Sequence, residues 1–415
     1  MTKKLIAAVL ALTTAFSVSA CGNKEDSSSS ASNDSSKAET TTTTAETTTA
    51  TAEESKADES SQESSDADDT SSSETDDSAE DIDFTEGGTL KYWSEDSEVA
   101  KSLVEWVEEV TDPESDKFIP VEDRIVASDL DGTLIGELYP TYFDHCIFVH
   151  RALYDDTYDA PEDMKEFAKE IEKSLKETGK LPSGIETKHA HYAAEAYKGM
   201  TIDELKDYAK EFMKTKADGF ENLTRGDAYY RPMKTLIDYL NANDFTFYIV
   251  SGTDRTLVRA LSEEMFDVPD NHIIGTDTIM VAENQGKEDG LDYTYSEDDE
   301  VVFGGEFITK NLKMNKVTAI AKEIGITPVL CLGNSGGDLA MAEYTVKNEK
   351  YDGRAYLLLC DDVEREHGKP DVAESFKETC EDMGFYTVSM KDDFATIYGD
   401  DVTIKDYEDK VGQTD

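Results

Sequence analysis

Beyond residue 84 the apolar positions fall into two patterns. Continuous runs at Arg124 to Ser128, Thr246 to Val250, Val329 to Leu332 and Ala355 to Leu359 each end in polar or glycine-rich residues, as strands buried on both faces do. Between these runs the apolar residues recur at helical spacing. Pro161 to Gly179 places Met164, Phe167, Ala168, Ile171 and Leu175 on one face and stops at a glycine. Thr201 and Glu204 have the spacing of a capping box, ahead of Leu205, Tyr208, Phe212 and Met213. Met280 to Gly305 mixes short apolar runs with glycines and acidic turns and reads as a β excursion. Apolar strands alternating with helices predict an α/β fold around a parallel sheet, and the long helical stretch between the first two strands predicts an inserted subdomain.

The first 83 residues follow neither pattern. Lys3 and Lys4 precede an apolar stretch from Leu5 to Phe16, which leads to Val18-Ser19-Ala20-Cys21. This order is that of an export signal over residues 1–20. Its small residues ending on cysteine look like a bacterial lipobox, with Cys21 acylated and anchoring the chain to the outer face of the cell membrane; an ordinary signal peptide is the alternative. Residues 22–81 are nearly all Ser, Thr, Ala, Glu and Asp, with Lys24, Lys37 and Lys56 the only positive charges. Such a stretch cannot bury a core and is expected to form a disordered, self-repelling tether across 21–83, ahead of a globular part at 84–415.

Charge removes several function classes. The chain has 92 acidic and 40 basic residues and a formal net charge of −52. A surface this acidic repels nucleic acid and anionic lipid, so a site for any anion must be electropositive locally. Cys146, Cys331, Cys360 and Cys380 show no CxxC spacing, and none of the six histidines lies in a zinc-hydrolase context. Buried thiols are the expectation for the cysteines, and His189 and His191 read as solvated or core side chains.

Candidate chemistry gathers where the predicted strands end. The first leads into Ser128-Asp129-Leu130-Asp131-Gly132-Thr133-Leu134, two carboxylates two residues apart followed by a glycine that lets the backbone turn closely round an anion. The second runs into Ser251-Gly252-Thr253, which offers a hydroxyl and backbone N–H groups to phosphate oxygens. Lys316 opens an amphipathic helix carrying Val317, Ile320, Ala321 and Ile324, where its ammonium and the positive helix end favour the same anion; Lys313 is a rival. The third strand ends in Gly333-Asn334-Ser335-Gly336-Gly337-Asp338, oxygen ligands on a tight loop that suit a hard cation, with Asp338 also placed to cap the helix of Leu339 and Met341. Asp361 and Asp362 follow a further strand, either near a metal or as a helix start. For Arg151, Arg225, Arg255 and Arg259, surface ion pairs are the default.

Taken in order, D-L-D-G-T, strand-Ser, Lys and G-N-S-x-x-D resemble the four motifs of the haloacid dehalogenase superfamily, over roughly residues 123 to 345. N-K-V-T-A-I, E-I-G-I-T-P-V-L, G-N-S-G-G-D-L-A-M and C-D-D-V-E-R-E look like a phosphoserine-phosphatase-like clade of it. The resemblance implies a Rossmann-like three-layer parallel sheet with a mostly helical cap inserted at about 136–228. It implies that Asp129 attacks phosphorus, that Asp131 protonates the leaving oxygen and later activates water, and that Ser251, Gly252 and Lys316 hold phosphoryl oxygens. Mg²⁺ would be bound by the Asp129 carboxylate, the Asp131 backbone carbonyl, Asn334 and Asp338. Asn334 departs from the commonest pattern, which has an aspartate there, and brings one charge fewer.

The expected function is therefore a Mg²⁺-dependent phosphomonoesterase acting on small phosphorylated metabolites outside the membrane through an aspartyl-phosphate. The alternative is a non-catalytic ligand-binding lipoprotein on the same fold. Retention of Asp129, Asp131, Ser251 and Lys316 together argues against it, because a receptor has no need of both carboxylates beside an anion; Asn334 leans towards it.

Overall fold

The computed structural model describes residues 85–86, 89–136, 139–407 and 410–414. The export signal, Cys21 and the acidic tether lie outside the described residues. Among the described residues no helix is long and apolar enough to cross a membrane.

The central sheet has seven strands: β1 (Ile125–Ser128), β2 (Thr246–Asp254), β3 (Ile273–Ala282), β4 (Val301–Thr309), β5 (Leu330–Gly333), β6 (Arg354–Leu359) and β7 (Tyr386–Ser389), in the order β7-β6-β5-β1-β2-β3-β4. All neighbours pair in parallel except β3 and β4, which form an antiparallel hairpin. The β excursion expected at Met280 to Gly305 covers the end of the first arm, the turn and the start of the second arm of that hairpin, which as a whole runs from Ile273 to Thr309. Every residue of β1 and β5 is buried, because helices cover both faces.

Alternation along the strands assigns the two layers. Val126, Phe247, Ile249, Leu330, Leu332, Tyr356 and Leu358 face one hydrophobic cluster with α1 (Glu98–Thr111) and α6 (Arg231–Ala242). Ala127, Val250, Cys331, Ala355 and Leu357 face the other, against α8 (Met314–Glu323), α9 (Leu339–Val346) and α10 (Pro370–Met383). Trp106, 1 % exposed, anchors the first layer; burying an aromatic of that size is worth roughly 1.5–3 kcal/mol or more.

Between β1 and β2 lie α2 (Phe143–Leu153), α3 (Glu162–Thr178), α4 (Ile185–Ala196) and α5 (Ile202–Met213), which share a third cluster. α3 buries the five residues its spacing implies and ends on Gly179 at φ 63°, the left-handed conformation that suits glycine. The capping box of α5 closes: Glu204 N donates to Thr201 Oγ1 (3.1 Å) and Thr201 N donates to Glu204 Oε2 (2.9 Å). The cluster also takes Phe303 of β4 and Leu257 and Ala260 of α7 (Arg255–Met265), whose other face packs Val258 and Leu261 into the first layer. α7 thus ties the inserted helices to the sheet.

The cysteines Cys146, Cys331 and Cys380 are buried and unbridged, and Cys360 is half-buried. Arg151, Arg225 and Arg255 are taken up by ion pairs with Asp155, Asp218, and Asp277 with Glu323, while Arg259 donates to the Asp270 carbonyl.

Candidate active site

Chain order reverses across β1: β2 to β4 extend to one side of it and β5 to β7 to the other. The crevice at such a switch point, beyond the carboxyl ends of the strands, is where open α/β sheets place ligands. The loops after β1 and β5, the last residues of β2 and the start of α8 all meet there. Asp129 N donates to Leu332 O at 2.9 Å, which extends the β1–β5 pairing by one residue and fixes the first carboxylate at the sheet edge. Gly132, at φ 79°, supplies the left-handed turn that brings the chain back, with its N–H on Ile135 O at 2.9 Å.

Lys316 is 1 % exposed and stands between two carboxylates, Nζ lying 2.5 Å from Asp129 Oδ1 and 2.8 Å from Asp338 Oδ1. Burial pushes the Asp129 carboxyl up, and the charge of Asp338 adds to this, against the pull of Lys316. Burial pulls Lys316 down, but Asp129 and Asp338 outweigh it and the net shift is upward. One shift favours a neutral acid and the other an ion pair; the 2.5 Å contact, with an ammonium shared by two carboxylates, decides for the ion pair. Lys313, the rival, is exposed at the N-terminus of α8.

Asp338 does not cap α9 with its side chain. Its Oδ2 accepts from Asn334 N (3.1 Å), Ser335 N (3.0 Å) and Ser335 Oγ (3.1 Å), so the carboxylate holds its own loop in shape while Oδ1 holds Lys316. Asn334 lines the cavity beside it.

Asp131 is 8 % exposed and accepts from Thr253 Oγ1 (2.8 Å) and Ser251 Oγ (3.3 Å) on Oδ2. Burial raises its carboxyl to about 6, with Thr253 opposing and Asp144 adding. Ser251, expected to contact phosphate, is fully buried and does not line the cavity; its hydroxyl donates to Asp131 and accepts from Thr253 N (3.0 Å). The physical reason is the length of β2, which runs on to Asp254 with a register shift after Val250, so that Gly252 and Thr253 reach the cavity instead. A Cβ at Gly252 would come within 2.6 Å of Leu312.

The cavity also has a second wall. Asp144 and His145 in the first turn of α2, Glu186 in the first turn of α4, and Lys310 after β4 face the motif residues across about 60 Å³. None of these four was singled out from the sequence, nor was Thr253 as a partner of Asp131. Lys310 had no motif to mark it; its position is set by Asn311, 2 % exposed, whose Nδ2 donates to Ser251 O at 3.0 Å. Burial lifts the Asp144 carboxyl to about 6 against the pull of Lys310, and burial lowers His145 and His189 well below the usual histidine range. His189 is buried behind Asp144, Nδ1 3.7 Å from Oδ2, and His191 is exposed. Asp361 and Asp362 stay off the cavity: Asp361 accepts from Ser389 Oγ (2.6 Å), and Asp362 accepts from the Glu364 and Arg365 amides and the Arg365 guanidinium.

No family model and no curated protein matches the chain. Several solved structures resemble it at a distance. A conserved protein of unknown function from Anaerococcus prevotii is 12 % identical, covering 74 % of this chain and 94 % of its own, at a TM-score of 0.46. Cytosolic 5′-nucleotidase IIIB bound to cytidine is 13 % identical, with 71 % and 85 % covered and a TM-score of 0.40. A phosphoserine phosphohydrolase-like protein from Francisella tularensis is 14 % identical, with 64 % and 94 % covered and a TM-score of 0.33.

Proposed function

We propose that the protein is a Mg²⁺-dependent phosphomonoesterase that acts on small organic phosphates through a phosphorylated Asp129. The observation that carries this reading is a pair of buried, cavity-lining carboxylates with different partners: Asp129 ion-paired with Lys316, and Asp131 held by two hydroxyls. A cation beside Asp129 favours its ionised form as nucleophile, whereas Asp131, with hydroxyl partners only, is the better proton carrier.

In this reading an Asp129 oxygen attacks phosphorus and the bond from phosphorus to the leaving oxygen breaks, the leaving oxygen taking the proton of Asp131. Water then attacks the aspartyl-phosphate, Asp131 recovers a proton from it, and the bond between phosphorus and Asp129 breaks to release phosphate. Lys316 keeps Asp129 ionised and offsets charge on the transferring group. Thr253 and Ser251 orient Asp131, and Gly252 brings bare backbone to the cavity wall.

The cavity lining suits a divalent cation. Asp129, Asp131, Asp144, Glu186 and Asp338 face only Lys310 and Lys316, an excess of negative charge that a phosphate dianion could not enter unaided. Among the described residues no three His, Cys, Asp or Glu side chains converge on one metal position, so the donors would be Asp129, the Asp131 carbonyl and Asn334, completed by water, as magnesium accepts. Asp338, also a candidate ligand, already serves Lys316 and its loop and would act mainly by positioning Asn334. When bound, the ion supplies positive charge to the phosphate and to its transition state.

Export and acylation at Cys21 belong to the same reading and place the reaction at the outer face of the cell membrane. Radiolabelled palmitate incorporation, lost in Cys21→Ser, tests that part. Hydrolysis of p-nitrophenyl phosphate with Mg²⁺ and with EDTA tests the chemistry. Turnover that needs the metal and falls by about 10⁴-fold or more in Asp129→Asn is expected; none with Mg²⁺, Mn²⁺ or Co²⁺ overturns it in favour of a ligand-binding protein.

A further inference from the structure

The second wall of the cavity carries polar groups whose hydrogen-bonding capacity is unused. Lys310 is held 3.9 Å from Asp144 Oδ2 and 3.6 Å from Glu186 Oε2, both beyond hydrogen-bond length, with its side chain 14 % exposed. Asp144 Oδ1 and His145 Nε2 are buried without a hydrogen-bond partner, although His145 Nδ1 is fixed by Thr141 Oγ1 at 3.0 Å. A buried polar atom without a partner costs roughly 1–3 kcal/mol, which applies to Asp144 and His145, while Lys310 and the half-exposed Glu186 line the cavity wall beside them with donors and acceptors still open to a ligand.

Donor and acceptor alternate along it. An ammonium on the ligand would meet Lys310 between the two acids; a carboxylate would meet Asp144 and Glu186 on either side of the lysine. A hydroxyl satisfies both, since it accepts from Lys310 while donating to Asp144 or Glu186. Drug-sized ligands fill clefts of ~300–1,000 Å³, whereas the whole cavity between the two walls measures about 60 Å³, which favours a compact substrate.

Building on the phosphatase reading, we infer that Lys310, Asp144, His145 and Glu186 form a leaving-group subsite for a short, neutral, hydroxylated alcohol, so that the substrates are polyol or small sugar phosphates. Lys310 and Asp144 are the residues that set specificity. They stand opposite the residues assigned to phosphorus chemistry and reach the cavity from different elements, Lys310 next to Asn311, which is tied to Ser251 O, and Asp144 next to His145, which Thr141 fixes.

Three phosphates of similar size separate the possibilities: glycerol 3-phosphate with neutral hydroxyls, phosphoethanolamine with an amine, and phosphoglycolate with a carboxylate. With the full-length protein and Mg²⁺, kcat/KM is expected to favour glycerol 3-phosphate by about 10-fold or more. Lys310→Met compresses that preference towards unity, and Lys310→Arg, which keeps the charge and donors, restores part of it; melting curves verify that each variant is folded. Preference for the amine or the carboxylate, or an equal fall for all three in Lys310→Met, overturns the inference while leaving the phosphatase standing. If neither these compounds nor p-nitrophenyl phosphate turns over, the phosphatase reading falls, and calorimetric titration of the same three compounds decides the subsite. Tighter binding of glycerol 3-phosphate keeps it; equal or absent binding overturns it.

Discussion

The two walls of the cavity are built from similar residues and differ in how completely those residues are used. On the sheet side each charge has a short partner: Lys316 with Asp129 and Asp338, Asp131 with Thr253 and Ser251, Asp338 with its own loop. On the side of α2, α4 and Lys310 the charges stand 3.6 to 3.9 Å apart, and buried atoms have no hydrogen-bond partner. In the proposed reading the sheet side is the half organised for chemistry and the other side the half that meets a substrate. A fully satisfied network lowers reorganisation at the moment of reaction; an unsatisfied one gains most when a ligand arrives.

Substitutions on the sheet side are expected to be the more damaging. Lys316→Met leaves Asp129 and Asp338 buried beside each other without their cation, and a loss of about 3–5 kcal/mol in urea unfolding with EDTA is expected. Were that variant to unfold like the parent, the sheet wall would not be the coupled unit described here. Asp131→Asn keeps the shape of the side chain and removes its proton transfer, so kcat should drop by roughly 10²–10⁴-fold with KM little changed. An equal effect on KM would place Asp131 in binding instead.

Thr253→Val tests the next layer, a hydroxyl that orients a carboxylate. Losing a hydrogen bond to a charged group is worth about 1.5–3 kcal/mol, so kcat should fall some ~10–100-fold, while Thr253→Ser keeps most of it. A flat response in both variants would detach Thr253 from Asp131.

The smallest expected effect lies on the other wall and has the opposite sign. Asp144 is buried, and burial raises its carboxyl to about 6 from an ordinary value near 4, so the folded state holds its proton to higher pH than the unfolded state. Its contribution to stability is fully present below pH 4, declines as pH rises through 4 to 6, and is a penalty of roughly 2 kcal/mol at pH 7. Asp144→Asn should therefore raise the melting temperature at pH 7 in EDTA and leave it nearly unchanged at pH 4. A variant that melts lower at pH 7 would show that Asp144 is satisfied in the folded protein, and the contrast between the walls would close.

Much of this arrangement is legible in the residues themselves. Continuous apolar runs mark β1, β2, β5 and β6, the glycine at 179 and the Thr201–Glu204 pair mark the ends of two inserted helices, and Asp129, Asp131, Lys316, Asn334 and Asp338 sit where a strand ends or a helix begins. These features are local: turn chemistry, capping and strand burial are set by residues within a few positions of one another, and parallel pairing then gathers the strand ends on one edge. Other features escape that reading. β3 and β7 are too mixed in polarity to stand out, and where β2 ends depends on its pairing with β3, which turns Ser251 inward and brings Thr253 to Asp131.

The α/β architecture, and the carboxylates and lysine that meet at the cavity, can be read from the residues alone. That Asp144, His145, Glu186 and Lys310 share one wall, and that Asp338 serves Lys316 and its loop, emerges only from the packed fold. The reason is physical: those contacts join α2, α4 and the segment after β4 through packing between elements, and no periodicity or short motif encodes a contact between residues so far apart along the chain.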